Sequence, residues 1–72
     1  MNKYYFSFGS SKQFPYQGGY LVVHARDKIG AIAKYREHYP DVNDNLINCA
    51  FIYSEEEWTN ISEKGKCHEI IH

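Results

Sequence analysis

The sequence predicts a single small α+β domain over residues 1–72, in the order β-β-α-β-α-β, with a sheet of about four strands and helices mainly on one face. Three observations carry this. Short runs rich in aromatic and β-branched residues end at glycine or polar turns, as strands do. One stretch, KIGAIAKYREHY, spaces its apolar side chains as a helix does and stops at a proline. With 72 residues there is room for one domain only, and a chain of that size buries about 60% of its unfolded surface. A core that thin favours self-association.

The elements follow in order. KYYFSF, residues 3–8, reads as a strand with Tyr4, Phe6 and Phe8 on one face and Tyr5 and Ser7 on the other. GYLVVHA, residues 19–25, is the second, with Leu21, Val23 and Ala25 alternating with Tyr20, Val22 and His24. The loop between them makes a hairpin with a long connection. Asp27 is a suitable N-cap for the helix. Ile29, Ile32, Ala33 and Arg36 form one stripe, with Ile32, Tyr35 and Tyr39 beside it, and Pro40 ends the helix. PDVNDN reads as a loop. LINCAFIY, residues 46–53, is almost wholly apolar and reads as a central strand buried on both faces. Ser54 and Glu57 form a capping-box pattern opening a short helix over about 55–61, with Trp58 and Ile61 on one side. CHEIIH, residues 67–72, reads as a short closing strand.

Composition narrows the function classes. The net charge is −1 with both signs scattered, which lacks the basic stripe of non-specific nucleic-acid binding and the acidic block of a DNA mimic. No apolar run approaches the ~20 residues of a membrane span, and no leader pattern precedes MNKYYF. These features predict a cytoplasmic protein without a membrane partner, its Cys49 and Cys67 reduced. Aromatic residues make up 17%, and seven of the twelve lie in the first twenty positions.

The candidate site centres on the opening loop, FGSSKQFPYQGGY. Gly9, Ser10, Ser11 and Lys12 offer backbone N–H groups, hydroxyls and a cation, the parts of a phosphate-holding nest. The GxxxxGK[ST] motif is absent. Phe14, Tyr16 and Tyr20 are suited either to stacking on a base, worth ~1–3 kcal/mol each, or to packing the loop onto the sheet. Arg26 and Arg36 have the forked geometry that grips phosphate, or serve as solvated surface charges. Asn48 is the one polar residue in its apolar run and needs partners if buried, from a neighbouring loop or from a ligand.

Catalytic and metal chemistry find less support. No CxxC or HExxH occurs, and His68 and His72, read as sharing a strand face, lie about 13 Å apart along it. Cys49 reads as a small buried hydrophobe. A Cys–His pair drawn from Cys49 or Cys67 with His24 or His68 requires a lowered thiol pKa, to which no local signal points. Glu55, Glu56 and Glu57 sit where a helix dipole favours carboxylates. The expectation is no enzyme, no cofactor and no metal.

KYYFSFGS, FPYQGGYLVV and LINCAFIYSEEEW resemble a group of short proteins of phages and mobile elements of Gram-positive bacteria, whose pattern is YYFTFGS…FPY followed by NCAF and YSEEEW. The resemblance covers nearly the whole chain; Ser7 stands where threonine is expected. It implies a bacterial-host setting in which small phage proteins counter host defence. Two functions fit: a homo-oligomeric sponge that sequesters a nucleotide-derived immune signal of ADP-ribose or cyclic-nucleotide type without turnover, and an inhibitor that binds a host defence protein, as an anti-CRISPR protein does.

Overall fold

The computed structural model describes residues 1–42 and 45–72. The expected order forms: β1 (Asn2–Ser7), β2 (Tyr20–Ala25), α1 (Lys28–His38), β3 (Phe51–Ser54), α2 (Glu55–Trp58) and β4 (Cys67–Ile71). The loop expected over 40–45 is described at 40–42 and 45; positions 43 and 44 lie outside the described residues. The four strands make one mixed sheet of order β3-β1-β2-β4. β1 pairs antiparallel with β2 and β3, and β2 pairs parallel with β4.

Strand alternation and register decide what each face carries. Tyr4 sits opposite Val23 and Phe6 opposite Leu21, so these four share a face. That face meets α1. Its core holds Phe6, Phe8, Leu21, Val23, Ala25 and Ile71 beneath Ala31 and Tyr35 of α1, with Cys49 beside them. The Tyr35 ring stacks on Phe6, centroids 4.6 Å apart. Asp27 caps α1 through Oδ1, which accepts from Gly30 N at 2.7 Å. The expected stripe through Ile29 is not the buried one: Ile29 is 81% exposed, and Ala31 with Tyr35 point inward. A small residue one turn before a large ring lets the helix approach the sheet closely while Tyr35 fills the space.

Tyr5, Val22 and Tyr20 lie on the other face. There α2 supplies Trp58, whose ring stacks on Tyr5 at 4.7 Å and 6° and packs against Tyr20 at 4.8 Å. Thus the 11-residue α1 covers one face, and the four-residue α2 holds a second, smaller cluster on the other. The capping box forms as expected, with Ser54 Oγ accepting from Glu57 N and Glu57 Oε1 accepting from Ser54 N. Past Trp58 the turn continues through Thr59 N→Glu55 O, Asn60 N→Glu57 O and Ile61 N→Trp58 O bonds.

Residues 46–53 do not form a central buried strand. The ladder begins at Phe51 and lies at the sheet edge, where Phe51 is 63% exposed. Residues 46–50 are mostly bends, with Cys49 N bonded to Ile47 O and Ala50 N to Ser7 O. The two interior positions belong to β1 and β2. The rings of β1 face both ways, Tyr4 and Phe6 to the α1 side and Tyr5 to the α2 side, which accounts for three of the seven early aromatics.

An irregularity in the β2–β4 pairing at Tyr20/Leu21 also separates two histidines. His68 stacks on Tyr16, centroids 4.2 Å apart, beside the main core. His72 stacks on His24 at 5.0 Å, and His24 lies opposite Lys3 on the α2 face. The two therefore do not share one face.

Candidate functional site

The opening loop is closed at its base by Gly18 N donating to Gly9 O at 2.5 Å. Gly9, Gly18 and Gly19 all have φ between 58° and 79°, a region costly for side-chain-bearing residues. At Gly19 a Cβ would also run into Lys66 O and the His68 ring. Between these glycines the loop folds back onto its own domain. Tyr16 stacks on His68, meets Phe8 edge-on and shares a 3.1 Å hydrogen bond with the Tyr39 hydroxyl. The Tyr39 hydroxyl donates to Glu69 Oε1, and burial together with that carboxylate pushes its pKa above the usual tyrosine range. Of the two uses open to Tyr16, packing is the one it serves.

The sequence-predicted site residues do not converge as one constellation. Tyr20 lies against Trp58, on the sheet face opposite Tyr16. Arg26 follows β2 at the end away from the opening loop, roughly 20 Å along the strand. It is exposed, and its carbonyl accepts from Asn2 Nδ2. Arg36 pairs with Asp41 at 3.0 Å and donates to Asn45 O at 3.2 Å, holding the chain beyond α1. Ser10 and Lys12 are exposed, and Ser11 Oγ accepts locally from Gln13 N.

Two of the predicted residues do meet. Phe14 and Asn48 line a cavity of about 230 Å³ with Gln13, Val42, Leu46, Ile47 and Cys49. Its walls are mainly apolar. Val42 and Leu46 form a rim, 63% and 67% exposed. Asn48 is only 8% exposed. Its backbone carbonyl accepts from the buried Tyr35 hydroxyl at 2.5 Å, which fixes the residue in place. Its side-chain Oδ1 is buried and has no hydrogen-bond partner among the described residues. Beside it, burial pushes the Cys49 thiol up to about 12 despite the opposing influence of Arg36, so the sulfur stays protonated and is a poor nucleophile. Both cysteines are free.

The chain matches no family model, no curated protein and no solved structure. What the cavity does therefore has to be read from its own groups. Among the described residues, no three or more metal-ligating side chains come together, and no helix is long and apolar enough to cross a membrane. Around the cavity the available chemistry is an apolar lining, one buried amide and the exposed Lys12 on the adjoining loop, with Arg36 nearby already paired to Asp41.

A second hollow, about 340 Å³, lies on the α2 side and was not foreseen as a site. Phe51, Tyr53 and Trp58 wall it, and Gly9, Gly18, Gly19 and Gly65 contribute backbone. Its sequence signal was the YSEEEW run followed by a glycine turn. The missed cavity residues had a signal too: Val42 is the one apolar side chain in PDVNDN, and Leu46 and Ile47 open the apolar run LINCAFIY.

Proposed function

We propose that this chain is a non-catalytic anti-defence binding protein of phage or mobile-element origin, which sequesters a nucleotide-derived signal in the Phe14–Asn48 cavity. The observation that carries the proposal is the Asn48 Oδ1, buried without a partner among the described residues. A buried acceptor left without a donor costs about 1–3 kcal/mol. A ligand that brings a donor removes that cost. An asparagine amide presents an acceptor and a donor side by side, the pattern that complements the N6/N7 edge of adenine. Phe14 supplies a ring for stacking, and Val42, Leu46 and Ile47 supply apolar cover. A volume of about 230 Å³ accommodates one base, leaving sugar and phosphate outside toward the exposed Lys12.

The exposed rims of Val42 and Leu46 support self-association over a bound ligand, which would enclose it. Sequestration then works by mass action, with subunits present above the Kd depleting the free signal.

Native mass spectrometry of the full chain against a panel of cyclic dinucleotides and ADP-ribose derivatives tests this. The expected result is an oligomer that retains one panel member with its mass unchanged, and loses it in Asn48→Leu and Phe14→Ala. Retention unaffected by both substitutions removes the cavity from the site. No retention by the wild type, with a host protein recovered on pull-down, replaces the sponge by a protein-binding inhibitor.

A further inference from the structure

Asn48 Oδ1 is buried, so a donor arriving from outside reaches it only if one wall of the cavity moves. Two of the three walls are tied down. Behind Asn48, the Tyr35 hydroxyl donates to its carbonyl at 2.5 Å and Ala50 N donates to Ser7 O at 2.8 Å. On the Val42 and Leu46 side, Arg36 holds Asp41 at 3.0 Å and Asn45 O at 3.2 Å, one tie beside each rim residue. The third wall is Gln13 and Phe14, carried by the opening loop.

Among the described residues, positions 10–17 of that loop make no backbone hydrogen bond to the rest of the domain, and Gln13 N reaches only the local Ser11 Oγ. The two ends meet where Gly18 N donates to Gly9 O, as in an Ω-loop. Gly9 and Gly18 both have positive φ, yet a Cβ on Gly18 would meet nothing within 4 Å and one on Gly9 only Ala50 Cβ at 3.9 Å. Glycine serves these two positions through backbone freedom rather than close packing. Gly19 differs, being wedged against Lys66 O and the His68 ring, and is the fixed end. Side chains hold the loop down: Phe14 and Tyr16 pack against the core, and the Tyr16 hydroxyl makes the one polar tie to the domain among the described residues. The Tyr39 hydroxyl donates to Glu69 Oε1, so in the Tyr16–Tyr39 bond Tyr16 is the donor.

We infer that residues 10–17 are a strap that swings between Gly9 and Gly18, latched by the Tyr16 hydroxyl, and that its opening admits a ligand to Asn48. The purpose of the strap rests on the ligand reading of the cavity, but its motion is measurable without a ligand. A segment held by so few buried contacts opens at a small fraction of the global unfolding free energy.

Cys49 reports the opening, since it lines the same cavity and is 6% exposed with the strap down. In a Cys67→Ser background, the rate of Cys49 modification by iodoacetamide is measured on the full chain across low urea. A rate nearly independent of urea is expected, because a local opening exposes little surface. Tyr16→Phe keeps the ring that stacks on His68 and removes the latch, and should speed the reaction about two- to tenfold. Asp41→Asn loosens the opposite rim and should leave the rate unchanged. Modification with the steep urea dependence of global unfolding overturns the strap. So does a Tyr16→Phe rate equal to that of the parent, or an acceleration confined to Asp41→Asn. The ligand reading fails separately: nucleotide retention beside an unyielding loop removes the strap alone, and an opening loop on a chain that retains no nucleotide removes the ligand and leaves the moving wall.

Discussion

Asn48 couples stability to binding at a single side chain. Its Oδ1, buried without a partner among the described residues, destabilises the unliganded fold, whereas an apolar residue of similar size would not. Asn48→Leu is therefore expected to raise the melting temperature by about 4–8 °C for each kcal/mol recovered, while abolishing ligand retention. A thermal melt paired with the binding assay checks both, and a lower melting temperature would show that the amide is satisfied in the free protein. The neighbouring Tyr35→Phe has the opposite sign. It keeps the ring stack on Phe6 but strips the donor from the Asn48 carbonyl, so urea unfolding should show a loss of about 1–3 kcal/mol. Asn48 was visible in the sequence as a polar residue inside an apolar run. Its missing partner was not, because that depends on how residues 46–50 turn.

Caps were the most readable features at the level of elements, since both ends of a cap lie within a few residues of each other. Asp27 and the Ser54/Glu57 box were read from local spacing alone and form as read. Ser54→Ala should cost about 1 kcal/mol, followed by urea denaturation through Trp58 emission, and Ser54→Asp should restore most of it. The strand that was misplaced shows the complementary limit. LINCAFIY is apolar enough to be a buried strand, but an apolar run does not state whether its burial comes from pairing or from bends packed under a loop. Here Ile47 and Cys49 turn into the core from irregular chain, and the ladder with β1 spans only 51–54. In α1 the large exposed Ile29 misled, because residue size does not reveal which helix face meets the sheet.

The arrangement of the whole molecule is set by contacts distant in sequence, and that is where reading the chain alone stopped. Strand content and α+β class could be inferred. That β1 lies centrally, that β4 joins β2 in parallel and that Tyr16 and Tyr20 end on opposite faces could not, since each depends on where chains cross. That same topology brings β2 and β4 together at their ends, where His24 stacks on His72, faces Lys3 across the strand pair and has Lys34 Nζ bonded to its carbonyl. Partial desolvation, with His72, Lys3, Lys34 and the N-terminal ammonium nearby, holds the His24 pKa below 6.5. Its unfolded form therefore binds a proton first, and stability should fall as pH drops below 6.5 toward the lowered folded value. Glu57 is also shifted down, by hydrogen bonds from the Ser54 backbone and hydroxyl, so a second loss should begin as pH passes below its ordinary 4.5. Melting temperatures across that range should decline in two stages. His24→Gln should flatten the first stage and leave the second, whereas Glu57→Gln should lower the whole curve by weakening the cap and flatten only the second. An unchanged first stage in His24→Gln would move the titrating group elsewhere.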